Sequence, residues 1–378
     1  MSSTPVRVLH ITYDMRIGGT EQVIRNLVEA TDDRQLVVSI FCIEEPLGPW
    51  GEELRKNGTE IHGRPRSPGV DFQLILALRR HVQAQNIDVV HCHQYTPWVY
   101  GALASAGLKS KVIFTEHGRF YPDASSPKRR YVNPVLARLT DHITAISAAT
   151  KQALVDYEFL NASKIDVIYN GIKALQPEPA AAAQLREKLG IHSAAPIVGT
   201  IARLDPIKNH LMMLEAFRIV LNARPDARLL LVGDGEERAR IEEKIKALEL
   251  SDAVVMPGYL TDPTAWLELM NVYLLSSFSE GTSMTLLEAM SLGKPCVVTA
   301  VGGNPEIVKD QITGSVVESD NAPAFANAIL TQLTATPDQA AKIKQRFNEL
   351  FTQRAMAEHY AKLYSASETT ATFTSESK

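Results

Sequence analysis

Cysteine is scarce in this chain of 378 residues: Cys42, Cys92 and Cys296 each sit in an apolar run, and none has the spacing of a metal site or a redox pair. That excludes a disulfide scaffold and places the expected compartment in the cytoplasm. Long hydrophobic runs are missing too. No stretch approaches the roughly 18 apolar residues of a spanning helix, and residues 1–5 lead straight into a strand pattern with no room for a signal peptide. Any membrane contact is therefore expected to be peripheral. Net charge is −4, so there is no positive excess for general polyanion binding and no nucleic-acid partner is expected. Two motifs are absent as well. Without Gly-x-Gly-x-x-Gly a dinucleotide dehydrogenase is disfavoured, and without Asp-x-Asp the chain lacks the paired carboxylates that commonly hold a divalent cation, so no metal and no cofactor are expected.

What is present is alternation. Strand-like runs at 6–11, 36–43, 88–91, 111–115, 142–145 and 165–169 are separated by helical patterns, the signature of a parallel doubly wound sheet. After Asn170-Gly171 an alanine run following Pro177-Glu178-Pro179 breaks the composition and reads as a linker. The alternation then restarts, with strands predicted at 197–202, 228–232, 253–256, 272–275, 295–299 and 314–317. The predicted organisation is an α/β domain over 1–172, a linker over 173–195, a second α/β domain over 196–350, a last helix over 351–366 and a disordered Ser/Thr-rich tail over 367–378. Two such domains in series put a ligand at the carboxyl ends of both sets of strands, in the cleft between them.

The strand ends are accordingly the places to look. The first predicted strand is followed by Gly18-Gly19-Thr20-Glu21, where paired glycines before a helix either make a plain tight turn or aim backbone N–H groups at phosphate. The run 88–91 leads into Cys92-His93-Gln94. His91 and His93 share a strand face and could in principle ligate a metal, but no third ligand is evident, and His93 with Gln94 is better read as cleft lining. At the end of 111–115 stands Glu116-His117-Gly118, a loop histidine or a cleft imidazole. Arg119, Lys128, Arg129, Arg130 and Tyr131 form a basic and aromatic cluster, either solvated surface or a contact for anionic headgroups. In the second half, Arg203-Leu204-Asp205-Pro206-Ile207-Lys208-Asn209 carries two cations across a turn, which together can hold a diphosphate. Gly233 opens another glycine turn into a helix.

The most informative stretch is Ser279-Glu280-Gly281-Thr282-Ser283-Met284-Thr285-Leu286-Leu287-Glu288-Ala289-Met290. It reads as a loop feeding a buried helix, with Thr282 or Ser283 as N-cap and Glu288 alone inside an apolar run. Glu280 lies just outside the helix start, where unpaired N–H groups favour an anion. Together with Val301-Gly302-Gly303-Asn304-Pro305-Glu306, this resembles the Glu-x7-Glu signature of the retaining glycosyltransferases of family 4. The other strand ends match the same family in order: Gly18-Gly19-x-Glu21, His117, and an Arg203-x4-Lys208 clamp in which Asn209 replaces the usual glycine.

The resemblance implies a GT-B fold whose last helix packs back on the first domain. It implies that Glu280 addresses the donor sugar, Glu288 the nucleotide ribose, Arg203 and Lys208 the diphosphate, and His117 the transferred sugar. Gly281, Thr282, Gly233 and Tyr259 would complete the nucleotide site. The implied reaction moves a hexosyl group from a nucleotide diphosphate sugar to a hydroxyl of a saccharide, lipid-linked saccharide or lipid, with retention of configuration and the donor's own phosphate oxygen assisting deprotonation. A nucleotide-sugar epimerase of the same architecture and a non-catalytic sugar-nucleotide binder are the alternatives.

Overall fold

The structure is a computed structural model and describes residues 5–31, 35–118 and 125–365. The expected disordered tail and Arg119 of the basic cluster lie outside the described residues. Two parallel sheets organise the chain. The first contains β1 (Val6–Thr12), β2 (Leu36–Cys42), β3 (Glu60–Gly63), β4 (Val89–His93), β5 (Lys111–Glu116), β6 (His142–Ala145) and β7 (Ile165–Val167), in the order β3-β2-β1-β4-β5-β6-β7. The second contains β8 (Ile197–Ile201), β9 (Arg228–Val232), β10 (Val254–Gly258), β11 (Val272–Leu275), β12 (Cys296–Thr299) and β13 (Gly314–Val317), in the order β10-β9-β8-β11-β12-β13. Central strands such as β4 and β8 are buried along their whole length, as expected of strands covered on both faces. This is the GT-B architecture, and in each sheet the winding direction reverses once, between β1 and β4 and between β8 and β11. A crevice opens at such reversals because the two following loops leave in opposite directions.

The chain passes between the two sheets at two places that touch. Ile172 N–H donates to the Phe351 carbonyl at 3.0 Å, and Gln353 N–H donates to the Ile172 carbonyl at 2.8 Å. A side chain at Gly171 would place its first carbon 2.1 Å from the Thr352 carbonyl oxygen, so only glycine lets the crossings meet. From there the helix Gln353–Ser365 lies on the first sheet, with Tyr360 and Tyr364 buried and the Tyr364 hydroxyl 2.8 Å from His91 Nδ1.

Three local expectations need correction. Residues 173–195 are not simply a linker: they include the helix Pro179–Lys188, with proline at its start and alanines in its body, both favourable to helix, and Ala182, Ile191 and Ala195 are buried. The short edge strand β3 was not foreseen, because its burial is too slight to leave an apolar run. The basic stretch around 127–131 opens the helix Arg129–Arg138, and its cations are not equivalent. Arg129 is ion-paired with the buried Glu158 and stacks 4.6 Å over the Tyr95 ring, so it is structural. Arg130 and Lys128 are exposed.

Removing the Arg129 guanidinium leaves a buried acceptor short of a donor, whereas Arg130 faces water. Arg129→Ala is expected to lower the unfolding free energy by about 1–3 kcal/mol in urea titrations. Arg130→Ala should change it by no more than about 0.5 kcal/mol. Equal, small effects in both variants would show that the Arg129 pair contributes nothing to stability.

Candidate active site

The loops after β8 and β11 meet at one of the two reversals. Asp205 accepts a hydrogen bond from Ile207 N–H at 3.1 Å and starts a single 3-10 turn, Pro206–Lys208. Asn209 follows at φ 48° and ψ 48°, a left-handed conformation that asparagine tolerates better than most residues. Its side chain then accepts from Met212 N–H at 3.4 Å and caps the helix His210–Ala223. Asparagine therefore serves where the family resemblance led us to expect glycine.

This turn is bonded to the loop after β11 through the backbone. Phe278 N–H donates to the Ile207 carbonyl at 2.8 Å, and the Ser276 hydroxyl donates to the carbonyls of Lys208 and Asn209 at 2.8 and 3.1 Å. Between the two loops the Glu280 side chain is only 7% exposed, and its Oε1 receives Lys208 Nζ at 2.7 Å and the Ser277 hydroxyl at 2.5 Å. A carboxylate so shielded requires a cation and donors, and it has both. Arg203 differs: its side chain is 76% exposed, with Nε donating to Asp205 Oδ2 at 2.7 Å, so it stands at the rim.

The turn after β12 closes the back of the Glu280 loop. Gly302 has φ 51°, and a side chain there would put its first carbon 1.7 Å from the Glu280 carbonyl oxygen. Further along, Ser283 takes the N-cap position of the helix Met284–Ser291, accepting from Leu286 N–H, while the Thr282 hydroxyl donates to the Ile146 carbonyl of the first domain at 3.3 Å. Glu306 reaches across the same boundary: its two carboxylate oxygens accept from Ala148 and Ala149 N–H at 2.7 and 3.0 Å. The negative charge thus caps the start of the helix Ala148–Glu158, where it is favoured.

These loops enclose a cavity of about 660 Å³ walled by Arg203, Lys208, Gly233, Tyr259, Glu280 and Thr282 from the second domain and by Ile17 and Gly19 from the first. Of the two predicted glycines, Gly19 lines the cavity and opens the helix Gly19–Glu29, whereas Gly18 is its extended N-cap and is not among the walls. On the other side of Glu280 lies a second cavity of about 440 Å³, bordered by Gly118, Gln152, Tyr157 and Phe278. Glu280 borders both.

Glu288 departs from expectation. It is only partly buried, it does not line the larger cavity, and among the described residues no group donates to its carboxylate. It stands one helical turn beyond the wall residues Met284 and Thr285. Loss of water, with a smaller contribution from Asp262, pushes its pKa up to about 7.

The histidines are also arranged differently from the sequence reading. His93 does not line the cleft; it is buried, with both ring nitrogens bonded to other imidazoles, His10 and His117, each at 2.8 Å. The third histidine missed in the sequence is His10, which pairs in register with His91 across β1 and β4. Nitrogens of His10, His91 and His93 lie within 4.8 Å of one another. However, His91 is bonded to the Tyr364 hydroxyl at 2.8 Å and to the Thr115 hydroxyl at 2.7 Å, and both nitrogens of His93 are engaged. A shared cation would have to break these bonds, so the cluster does not fit a metal site. Gln94, at the end of β4, has φ 70°, a backbone conformation uncommon outside glycine.

A fold of two facing doubly wound domains with a cation-lined cavity at their reversals is matched by known proteins. The profile described as "Glycosyltransferase Family 4" matches residues 17–174, and that described as "Glycosyl transferases group 1" matches residues 182–349. The chain belongs to the family-4 glycosyltransferases. It is 26% identical over 341 residues to the UDP-Gal:alpha-D-GlcNAc-diphosphoundecaprenol alpha-1,3-galactosyltransferase of Escherichia coli, covering 86% of this chain and 87% of that protein. It is 29% identical over 273 residues to the N-acetyl-alpha-D-glucosaminyl L-malate synthase of Bacillus anthracis, covering 70% of each. Among solved structures, HepE of Anabaena in complex with UDP superposes with a TM-score of 0.84 at 22% identity, over 95% of this chain and 100% of that one. A glycosyltransferase from Rickettsia africae gives 0.83 at 22% identity, over 96% and 98%.

The raised pKa of Glu288 has a sign that can be checked. Its folded value of about 7 exceeds the ordinary 4.5, so the charged form costs stability in the fold, progressively from about pH 4.5 up to about pH 7. Glu288→Gln is expected to melt at the same temperature as the wild type at pH 4 and at a higher temperature at pH 8. A variant that is less stable at pH 8 would mean that the carboxylate has a donor after all.

Proposed function

We propose that this enzyme transfers a hexosyl group from a nucleotide diphosphate sugar, uridine or guanosine, to a hydroxyl of a saccharide, lipid-linked saccharide or lipid in the assembly of a bacterial-type surface or exopolysaccharide. Anomeric configuration is retained and no divalent metal takes part. The observation that carries this reading is the pair of cations, Arg203 at the rim and Lys208 against Glu280, facing one cavity at the reversal of the second sheet. Two positive charges facing one cavity suit a diphosphate, and Tyr259 with Leu260 offers an apolar edge for a base. The relatives' names support it: the Escherichia coli protein is named for a UDP-sugar and a diphosphoundecaprenol-linked sugar, and HepE is also recorded with UDP-glucose.

In this reading Glu280 contacts the donor sugar from its position between the two cavities, and the Gly281 backbone approaches the same sugar. His117 faces a sugar hydroxyl. Breaking the bond from the sugar carbon to the diphosphate leaves added negative charge on the departing nucleotide, which Arg203 and Lys208 stabilise more than they stabilise the ground state. A donor phosphate oxygen takes the acceptor's proton. Glu288 accepts from ribose hydroxyls, which would explain an unpartnered carboxylate one turn along the helix from the cavity wall.

Screening nucleotide sugars for thermal stabilisation tests the donor: one that binds should add about 2.7 kcal/mol at a hundredfold over its dissociation constant, with or without chelator. No stabilisation by any of them, or stabilisation only with added magnesium or manganese, would overturn the reading. Arg203→Ala and Lys208→Ala should each lower turnover by about 100- to 1,000-fold. Arg203→Lys should recover only part, since the planar fork is lost. Because Lys208 also holds Glu280, its alanine variant should melt below that of Arg203; unchanged turnover in both would remove the cations from the mechanism.

Peripheral contact with an anionic membrane completes the proposal. Among the described residues no helix is long and apolar enough to cross a membrane. The helix Arg129–Arg138 nonetheless exposes Tyr131, Val132 and Val135 beside Lys128 and Arg130, an apolar face with cations at its edge. Each such cation adds about 1 kcal/mol near an anionic surface. Vesicles rich in anionic lipid should bind the protein at low salt, and Tyr131→Ser with Val135→Ser should weaken binding several-fold. Equal binding to neutral and anionic vesicles would reject this surface.

A further inference from the structure

Three imidazoles run in series through the first domain. His117 Nε2 lies 2.8 Å from His93 Nδ1, and His93 Nε2 lies 2.8 Å from His10 Nδ1. At one end, His117 Nδ1 is buried and has no partner among the described residues; His117 is not itself a wall of either cavity, but its neighbour Gly118 borders the smaller one and its own carbonyl abuts Gly281. At the far end, His10 borders a separate cavity of about 380 Å³ between the first sheet and the last helix, with Gln35, Arg354, Glu358 and Tyr364 around it. His91 sits beside the chain and is not part of it, since its nitrogens are bonded to Tyr364 and Thr115.

A neutral imidazole has one N–H and one lone pair. Two hydrogen bonds in series therefore allow two registers: every proton points towards His10, or every proton points towards His117. In the first, His117 Nδ1 is an acceptor; in the second, it is a donor. A charged third state is disfavoured, because burial holds His10 and His117 down to about 3 and His93 well below its ordinary value. His117 can change role at neutral pH only if protons move along the whole chain.

We propose that His93 and His10 are positioning residues that let His117 act as acceptor or donor towards a sugar hydroxyl in the cleft without carrying charge. This rests on the transferase reading above. In the shift, one proton enters at His117 Nδ1 and His117 Nε2–H passes to His93 Nδ1. His93 Nε2–H then passes to His10 Nδ1, and His10 Nε2–H passes to solvent water in the rear cavity. No bond to carbon forms or breaks, and the reverse shift restores the start. One site can then serve both a hydroxyl that must be held as donor and one that must be held as acceptor.

Nitrogen NMR of the full chain labelled at histidine tests this directly. In the wild type the two His117 nitrogens should resonate between the protonated and unprotonated positions, as registers exchange. His93→Gln and His10→Gln should each collapse His117 onto one tautomer. Turnover should fall about 10-fold, the loss of about one hydrogen bond in the transition state, with the donor Michaelis constant unchanged within about twofold. A wild-type His117 in one pure tautomer, both free and with UDP added, would overturn the proposal, as would unchanged turnover in both variants. The spectra of the free enzyme need no substrate, so they decide the chain even if the transferase reading fails. They also decide it if a variant folds poorly.

Discussion

Glu280 is shut away from water, and Lys208 supplies the positive charge that offsets the cost of burying it. The two residues come from different strand ends, so satisfying the charge requires the loops after β8 and β11 to sit side by side. The backbone bonds from Phe278 and Ser276 hold the turn that carries Lys208, and Gly302 leaves the space in which the Glu280 loop rests. The walls that the loops after β8 and β11 give to the larger cavity, Lys208, Glu280 and Thr282 among them, are placed by this arrangement. Arg203 is the exception, since its exposed side chain is tied, among the described residues, only to Asp205. One cation is therefore built into the wall and the other stands exposed at the rim.

How much of this could be read from the chain varies with range. The two parallel sheets were legible because each strand is a short apolar run and each crossover helix has its own period, features that reside in neighbouring residues. The strand ends followed from them, and with them most of the cavity wall. What escaped were relations between distant positions. His10 is an ordinary strand residue until β1 is laid beside β4, and nothing near it announces His93 as a partner. Arg129 looked like its neighbour Arg130 because Glu158, which distinguishes them, lies on another helix.

Other misses had signals that pointed the right way. Proline at the start of 179–188 followed by alanines favours a helix, but the same residues also mark a break between domains, and the second sense was given more weight. For Glu288 the apolar neighbours suggested a carboxylate buried with donors; the residue is instead partly buried, one turn beyond the cavity, with no donor among the described residues. Asn209, which stands where the family usually has glycine, takes the left-handed conformation.

The two chain crossings at Ile172 and Thr352 have a mechanical meaning. A single connecting strand lets two bodies swing and twist freely, because every dihedral in it is an independent axis. Two strands bonded edge to edge, with Gly171 allowing them to touch, act as a door hinge: bending about the shared line is cheap, while twisting would shear the hydrogen bonds between Ile172, Phe351 and Gln353. Glu306, bridging to the start of the helix Ala148–Glu158, and Thr282, bonded to Ile146, add further bonds between the two domains. Any relative movement of the two domains therefore has to bend about that line or break these bonds.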